Sequence, residues 1–402
     1  MEKVIKNGGA YSSNRGRIVI TGTRGIPHIM GGVEAVVEEI APRLVSLGYD
    51  VTVIRRSDYV SDLANAETII EDGERFWKGV RLVDVESPKK KSLEAFIHTW
   101  RAIKVAKKMR ADVVHINAIG PALMTPFARM MGLKVVFHHH GPDYDRDKWG
   151  FVAKNALKMG EWLGCKFANH TLVISDVIRK IVANRCGCTK NVSLVYNGVS
   201  SPTLVHEPEY FAQLGIEEGK YILGMCRFVP EKHLHDLVAA YARLKEAGKI
   251  PSDIKLVLAG DTDFEDEYSM ELKKMAREAG AVLTGFVQGN KKFSLLTNAM
   301  CYSLPSSHEG LPIALLEAMS YRLPVVVSAI PANLEVGLDA TCYHDCGDVK
   351  ALASRLEIIC NKPFERCNYD MSKYDWDRIS AQIGEIYDSL RLEKLAPSFV
   401  LR

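Results

Sequence analysis

The chain has 402 residues, of which 47% are hydrophobic and 25% charged, an ordinary composition for a soluble globular protein with room for two domains. It excludes disordered, collagenous and disulfide-stapled classes. No apolar run approaches the ~18 residues a membrane span needs, and the polar, glycine-rich start reads as no secretory signal. Nine scattered cysteines, an odd number, point to a reducing compartment. The net charge of +3 divides unequally: 30 Lys and Arg against 20 Asp and Glu up to residue 200, then 22 against 29. The basic half suits an anionic partner, with an anionic membrane surface, a phosphorylated lipid and nucleic acid as candidates.

In chain order, residues 1–16 read as a disordered lead-in. Arg17–Gly22 is an apolar run closing on glycine, the pattern of a buried parallel strand. A loop with Gly25, Pro27, Gly31 and Gly32 follows, then a helix over Val33–Leu47 and a strand at Asp50–Ile54. Strand, glycine loop, helix and strand form a βαβ unit. Further strands are expected at Gly79–Val85, Asp112–Asn117, Leu133–His138 and Thr171–Ser175. Turn residues at Asn197-Gly198 and Pro202, then a polar stretch, predict a linker over 201–220. The alternation restarts with strands at Tyr221–Cys226, Ile254–Ala259, Val282–Phe286, Cys301–Leu304 and Pro324–Ser328. Helices fall between them, and a last helix covers Trp376–Leu390. The expected architecture is therefore α/β: two doubly wound Rossmann-like domains, 17–200 and 221–375, facing across a cleft, with 376–402 returning to the first.

The segment with most chemistry is Ser306-Ser-His-Glu309-Gly310-Leu311-Pro312-Ile-Ala-Leu-Leu-Glu317-Ala-Met319. Gly310 and Pro312 suit the start of a helix, whose free amides attract anions. Glu309 in the loop and Glu317 in the helix can grip separate hydroxyls of one polar ligand, because a carboxylate accepts from several donors. By itself the pair is equally an N-terminal acid at a helix dipole and an exposed glutamate.

In context this segment resembles the donor-binding motif, E-x7-E, of family-four retaining glycosyltransferases of the two-Rossmann, GT-B architecture. Leu323-Pro324-Val-Val-Val-Ser328 continues in register, with Arg322 where the family usually has glycine. Four other segments match in order. Gly22-Thr-Arg-Gly25-Ile-Pro27 with Gly31-Gly32-Val-Glu34 is similar to the loop that faces the nucleotide diphosphate, where glycine lets backbone approach phosphate. Cys226-Arg227-Phe-Val-Pro-Glu231-Lys232 is similar to the segment whose two cations hold that diphosphate. Phe137-His138-His139-His140-Gly141 matches the position of a histidine near the acceptor; His140 fits best and His139 is its rival. Val173-Ile-Ser175 and Tyr196-Asn197-Gly198-Val199 match segments flanking the hinge. Asp143–Gly150 resembles a subgroup of rhamnosyl and cell-surface polysaccharide transferases.

The resemblance implies transfer of a hexosyl or deoxyhexosyl group from a UDP-, GDP- or dTDP-sugar to a saccharide or lipid-linked saccharide. It implies Glu309, His140, Arg227 and Lys232 as catalytic residues, and Gly31, Gly32, Arg227, Lys232, Glu309, Gly310, Leu311 and Glu317 as donor-binding residues. The nucleotide sugar is a substrate, and no cofactor is expected. Alternatives are a nucleotide-sugar isomerase of the same architecture and a non-catalytic saccharide- or lipid-binding protein. No metal site is expected: Cys342-Tyr-His344-Asp-Cys346 lacks a partner pair, Asp261-Thr-Asp263 reads as a loop, and neighbouring histidines on a strand face opposite ways.

Residues 89–110 combine Lys89–Lys91 with a stripe of Leu93, Phe96, Ile97, Trp100 and Ile103 among five further cations. They could lie on anionic lipid or simply pack on the sheet. The expected location is cytoplasmic, with a peripheral place on the inner face of the cytoplasmic membrane as the further alternative. Nucleic acid is not an expected partner, because the basic stretches lack interleaved stacking aromatics.

Overall fold

The computed structural model describes residues 15–87, 94–145, 150–262 and 265–395. Most of the lead-in, Lys89–Lys91 and Leu93 of the basic stretch, Lys148-Trp149 and Asp263 lie outside the described residues. The chain forms two compact units. The first takes residues up to Ile174, Ile178–Val195 and from Trp376 onward; the second takes Ser175–Val177 and Tyr196–Asp375.

The first unit is built on a nine-stranded sheet: β1 Arg17–Thr21, β2 Asp50–Arg56, β3 Ile69–Glu71, β4 Glu74–Trp77, β5 Val80–Val85, β6 Val113–Asn117, β7 Lys134–His139, β8 His170–Val173 and β9 Val192–Leu194. The order is β3-β4-β5-β2-β1-β6-β7-β8-β9. All neighbours from β5 to β9 pair parallel, whereas β3, β4 and β5 form an antiparallel edge. The sequence reading missed β3 and β4. Their signal was local: Asp72-Gly73 and Lys78-Gly79 both have positive φ at each position, the two-residue turn that twists a hairpin correctly. The helices are α1 Gly32–Ser46, α2 Asp62–Ala66, α3 Glu94–Lys108, α4 Thr125–Met130, α5 Phe151–Phe167 and α6 Asp176–Cys186. In α1 the residues Val36, Val37, Ile40, Ala41 and Leu44 are buried at helical spacing. Burying each of its large aliphatic side chains contributes about 1.5–3 kcal/mol. In α3 the buried face is His98, Thr99, Ala102, Ile103 and Ala106. Of the stripe that could face lipid or pack on the sheet, Ile103 is therefore core, packed with Val19, Val114 and Val135; Phe96 is exposed.

The second unit holds β10 Tyr221–Met225, β11 Lys255–Ala259, β12 Val282–Gly285, β13 Cys301–Leu304, β14 Val325–Ser328 and β15 Tyr343–His344. They form a parallel sheet ordered β12-β11-β10-β13-β14-β15. Its helices are α7 Pro208–Leu214, α8 Leu234–Glu246, α9 Glu267–Glu278, α10 Gly289–Asn298, α11 Ile313–Ser320, α12 Pro331–Leu334 and α13 Val349–Cys360. The expected linker over 201–220 is corrected by α7. Pro208 opens that helix, Gly215 ends it in the left-handed conformation, and Tyr210, Phe211 and Ile216 are buried. Three apolar anchors inside a polar stretch made this a packed helix. The last helix, α14 Trp376–Leu395, belongs to the first unit, where Tyr49 donates to Gly384 O at 2.8 Å.

Both sheets have the doubly wound order, third-second-first-fourth-fifth-sixth strand, once the hairpin edge of the first unit is set aside, and β9 adds a seventh strand in that unit. The order reverses between β1 and β6 in one unit and between β10 and β13 in the other. Such switch points open a crevice at the carboxyl ends of the strands, where these sheets take ligands.

Candidate functional site

Every singled-out residue except the helical Glu317 lies in a loop, or at a helix start, on the carboxyl side of a strand at or next to a switch point. In the second unit β10 feeds the loop bearing Arg227 and Lys232, and β13 feeds the loop bearing Glu309, Gly310 and Leu311. Ser307 N donates to Glu231 O at 2.9 Å, which joins the two loops. Lys232 Nζ lies 2.5 Å from Glu309 Oε1, with side chains only 16% and 8% exposed. Arg227 is partly exposed and meets no carboxylate among the described residues. Lys232 and Glu309 thus come together, and Arg227 stands earlier in the same loop as Lys232. Asn197 of the expected hinge turn is buried, and its Nδ2 donates to Leu311 O at 2.9 Å, so the turn buttresses the loop. Pro312 sits one residue outside α11. Arg322 has φ +61, the conformation glycine adopts freely, and reaches Cys367 O and Asn368 Oδ1. Arg322 N donates to Met319 O and Leu323 N to Ala318 O, at 2.8 and 3.1 Å, so the end of α11 is closed without glycine.

Glu317 points to a partner the sequence reading missed. Lys292 Nζ on α10 lies 2.5 Å from Glu317 Oε1, both side chains about three-quarters covered. A lysine on a helix 25 residues upstream carries no local signal of this pairing.

In the first unit the loop after β1 is held from behind. Thr23 Oγ1 and Arg24 N both donate to Glu34 Oε1, at 3.0 and 2.8 Å. Gly31 has φ +155, and a Cβ there would fall 1.9 Å from Glu34 Oε2, so only glycine fits. A Cβ on Gly32 meets nothing within 4 Å. The fully buried Arg55, also missed, forks onto Asp84 at 2.6 and 2.9 Å and donates to Ile26 O at 3.4 Å.

The two candidate histidines separate by strand alternation. His139 is buried on one face of β7. Gly141 N donates to its Nδ1 at 3.1 Å, so its Nε2 carries the proton and donates to Glu161 Oε1 at 2.8 Å. Tyr144 OH donates to the same oxygen at 2.9 Å. His140 lies on the other face, stacked 4.1 Å from His138 and partly exposed. Asn117 Nδ2 donates to Thr21 O at 3.0 Å; its Oδ1 therefore faces His140 Nε2, 2.8 Å away, and the ring donates. His140 is the Nε2–H tautomer with Nδ1 as acceptor. Burial first, then His115 and His139, hold its pKa down to about 3. Replacing Asn117 by Asp adds a negative charge at Nε2 and moves the ring toward the ordinary value of about 6.5. Under the sugar-transfer reading, Asn117→Asp is expected to add an acid limb to the activity profile near that pH, where the wild type is flat. His140→Asn, with an oxygen near the Nδ1 position, is expected to retain more activity than His140→Gln. A profile unchanged by Asn117→Asp would contradict the assignment.

Among the described residues one group could hold a metal: His233, His235 and Asp236 at the start of α8. The sequence reading did not weigh it. His233 Nδ1 lies 2.9 Å from Asp236 Oδ2, and His235 Nδ1 pairs with Tyr268 OH at 3.1 Å. Three ligands from one turn fall short of the four of a structural zinc site.

Comparison with known proteins agrees with this geometry. Residues 30–201 match the model for Glycosyltransferase Family 4, and 206–374 that for Glycosyl transferases group 1. The O-antigen chain mannosyltransferase RfbU of Salmonella typhimurium is 24% identical over 62% of this chain and 67% of its own. The N-acetylgalactosamine-N,N'-diacetylbacillosaminyl-diphospho-undecaprenol 4-alpha-N-acetylgalactosaminyltransferase of Campylobacter jejuni is 24% identical over 74% of this chain and 77% of its own. The solved sucrose-phosphate synthase of Thermosynechococcus elongatus superposes with a TM-score of 0.76 at 18% identity, covering 94% of this chain and all of that one. Anabaena HepE in complex with UDP and glucose gives 0.68 at 17% identity, covering 94% and 99%. The isomerase and binding-protein alternatives are not favoured by these names. With both halves matched by family models and the doubly wound sheets in place, the chain belongs to the family-four glycosyltransferases of GT-B architecture.

Proposed function

We propose that this chain moves a hexosyl or deoxyhexosyl group from a nucleoside-diphosphate sugar to a saccharide or lipid-linked saccharide, with retention at the anomeric carbon. The observation that carries the reading is the Lys232–Glu309 pair beside Arg227, in loops joined through Ser307 and Glu231. Arg227 and Lys232 hold the diphosphate and stabilise the charge that grows on it as the sugar leaves. Backbone amides of Gly310 and Leu311, and in the first unit those of Gly31 and Gly32, are further phosphate donors. Glu309 orients the sugar, Glu317 accepts from the ribose, and His140 offers its carbonyl or Nδ1 to the donor sugar. The acceptor hydroxyl attacks on the face the diphosphate leaves, and that diphosphate takes the proton. The second unit is the nucleotide-sugar domain and the first, which carries the basic half of the chain, the acceptor domain.

The names of relatives support the substrate class: one extends O-antigen, another acts on a diphospho-undecaprenol saccharide, and HepE binds UDP. Such acceptors support a place for the chain at the inner face of the cytoplasmic membrane. No helix among the described residues is long and apolar enough to cross it. A thermal-shift series with UDP-, GDP- and dTDP-sugars tests the donor: one base is expected to raise the midpoint, because a ligand that binds only the native state stabilises it. Proton NMR of the product then reads the anomer, expected to match the donor. A sugar changed without acceptor would favour an isomerase, and no response to any nucleotide sugar would remove the reading.

A further inference from the structure

The helix α5 is inside out. An amphipathic helix on a globular domain turns its large apolar residues to the core and its polar ones to water. Here the buried residues are Gly160, Glu161, Gly164 and Cys165. The two glycines let the helix sit directly on its neighbours: a Cβ on Gly160 would fall 2.1 Å from Ile119 O, and one on Gly164 within 2.9 Å of Phe137 and Ala122. Leu157 and Leu163 are partly buried, but the other large apolar side chains are left outside. Phe151 is 82% exposed and Val152 81%, with Met159 and Trp162 about half exposed along the same side.

The adjoining helices continue this surface. On α4, Met130 is 82% exposed and Phe127 is also exposed, and Phe127 meets Trp100 of α3 edge to face at 5.7 Å. Isolated exposed apolar residues are ordinary, but several on neighbouring helices mark a contact surface. The exposed charges carried by these three helices have one sign, although Asp145 in the turn before α5 is an exposed acid. Lys104, Lys107 and Lys108 on α3 and Lys158 and Lys166 on α5 are exposed. The three helices carry two acidic residues only. Glu94 pairs with Arg56 and is 12% exposed, and Glu161 is buried against His139. No carboxylate of these helices faces solvent. A protein partner's surface mixes both signs, whereas an interface of exposed Phe, Val, Met and Trp ringed by lysines that meet no carboxylate among the described residues complements a sheet of anionic headgroups over acyl chains.

We propose that the α3–α4–α5 face, centred on α5, docks on an anionic lipid bilayer. Phe151, Val152 and Met130 enter the headgroup–acyl boundary and the lysines lie against lipid phosphates. This revises the sequence expectation for residues 89–110: α3 gives most of its apolar side to the core and contributes cations, while the apolar anchor comes from α5 and α4. The inference deepens the proposed action on lipid-linked saccharides and rests on that reading for its biological sense, but its test does not need sugar transfer.

The experiment is flotation of the purified full chain with vesicles of phosphatidylcholine alone or with added phosphatidylglycerol, none containing an acceptor. Binding is expected with phosphatidylglycerol, weakened by salt, and absent with phosphatidylcholine alone. Lys158→Glu with Lys166→Glu is expected to cut partitioning at least 20-fold, at roughly fivefold per lysine before the added repulsion. Phe151→Ser with Val152→Ser is expected to cut it by a further order of magnitude relative to wild type. These side chains are exposed, and circular dichroism checks the fold. Wild type that stays with the soluble fraction, or variants that float like wild type, would overturn the proposal. So would loss of self-association in light scattering with no change in flotation, since the face would then join copies of the chain. Transfer to a short-chain soluble acceptor, measured in parallel, separates the two readings: transfer without flotation removes the docking face alone, and flotation without transfer removes the transferase assignment alone.

Discussion

Lys232→Ala and Glu309→Ala are each expected to lower sugar transfer by about 100- to 1000-fold, the usual consequence of removing one preorganised group from a site of developing charge. The pair is mostly withdrawn from water, so each member holds the other in place before the donor arrives. Loss of Glu309 leaves the ammonium free to swing from the phosphate position. Loss of Lys232 leaves a carboxylate beside an incoming diphosphate, where it repels. The two single losses are therefore expected to be non-additive: the double variant should be little worse than Lys232→Ala alone, because the groups act as a unit. Steady-state kinetics with the donor found by thermal shift measures this, with near-ultraviolet dichroism checking the packing. Wild-type rates in both single variants would remove the site.

The second large effect is on stability. His98, His115 and His138 are buried in the first unit. Burial, then the charge of Arg56, lowers the His98 pKa to about 4. Burial lowers His115 to about 3 and holds His138 well below the usual value. In the unfolded chain all three titrate near 6.5. As pH falls from about 6.5 toward 4, the unfolded state takes protons that the folded state refuses, and stability falls. Each histidine costs about 1.4 kcal/mol of stability per pH unit within that window; with His140, held down in the same way, the four together cost roughly 5–6 kcal/mol per unit, against a total of about 5–15 kcal/mol for an ordinary domain. Above about pH 6.5 the contribution vanishes. Melting followed from neutral to mildly acidic pH is expected to show a steep fall well above the carboxylate range, and His98→Gln is expected to flatten it by about a quarter. A melting temperature level across that window would contradict the prediction.

These histidines also show what could and could not be read ahead of the structure. Their spacing was visible: His115 and Asn117 lie two apart on β6, His138 on β7 is two before His140 just past its end, and residues two apart along an extended strand share a face. The same rule puts His139 opposite. Which face opened to solvent and which met Glu161 depended on an α5 residue 22 positions away. The chain His140–Asn117–Thr21 crosses three strands whose adjacency no local pattern encodes.

The sequence by itself determined the alternation of strands and helices, the two doubly wound units and the loops bearing Glu309, Lys232 and Gly31. Hydrophobic period and glycine placement act over a few residues, and a ligand loop at a strand end is a local object. Only the tertiary structure decided the tautomer of His140, the Lys292–Glu317 and Arg55–Asp84 pairs, the helix inside the expected linker and the outward apolar side of α5. Each of these depends on which surfaces meet after distant segments pack, and for α5 on glycines whose small size matters only because Ile119 and Phe137 lie against them.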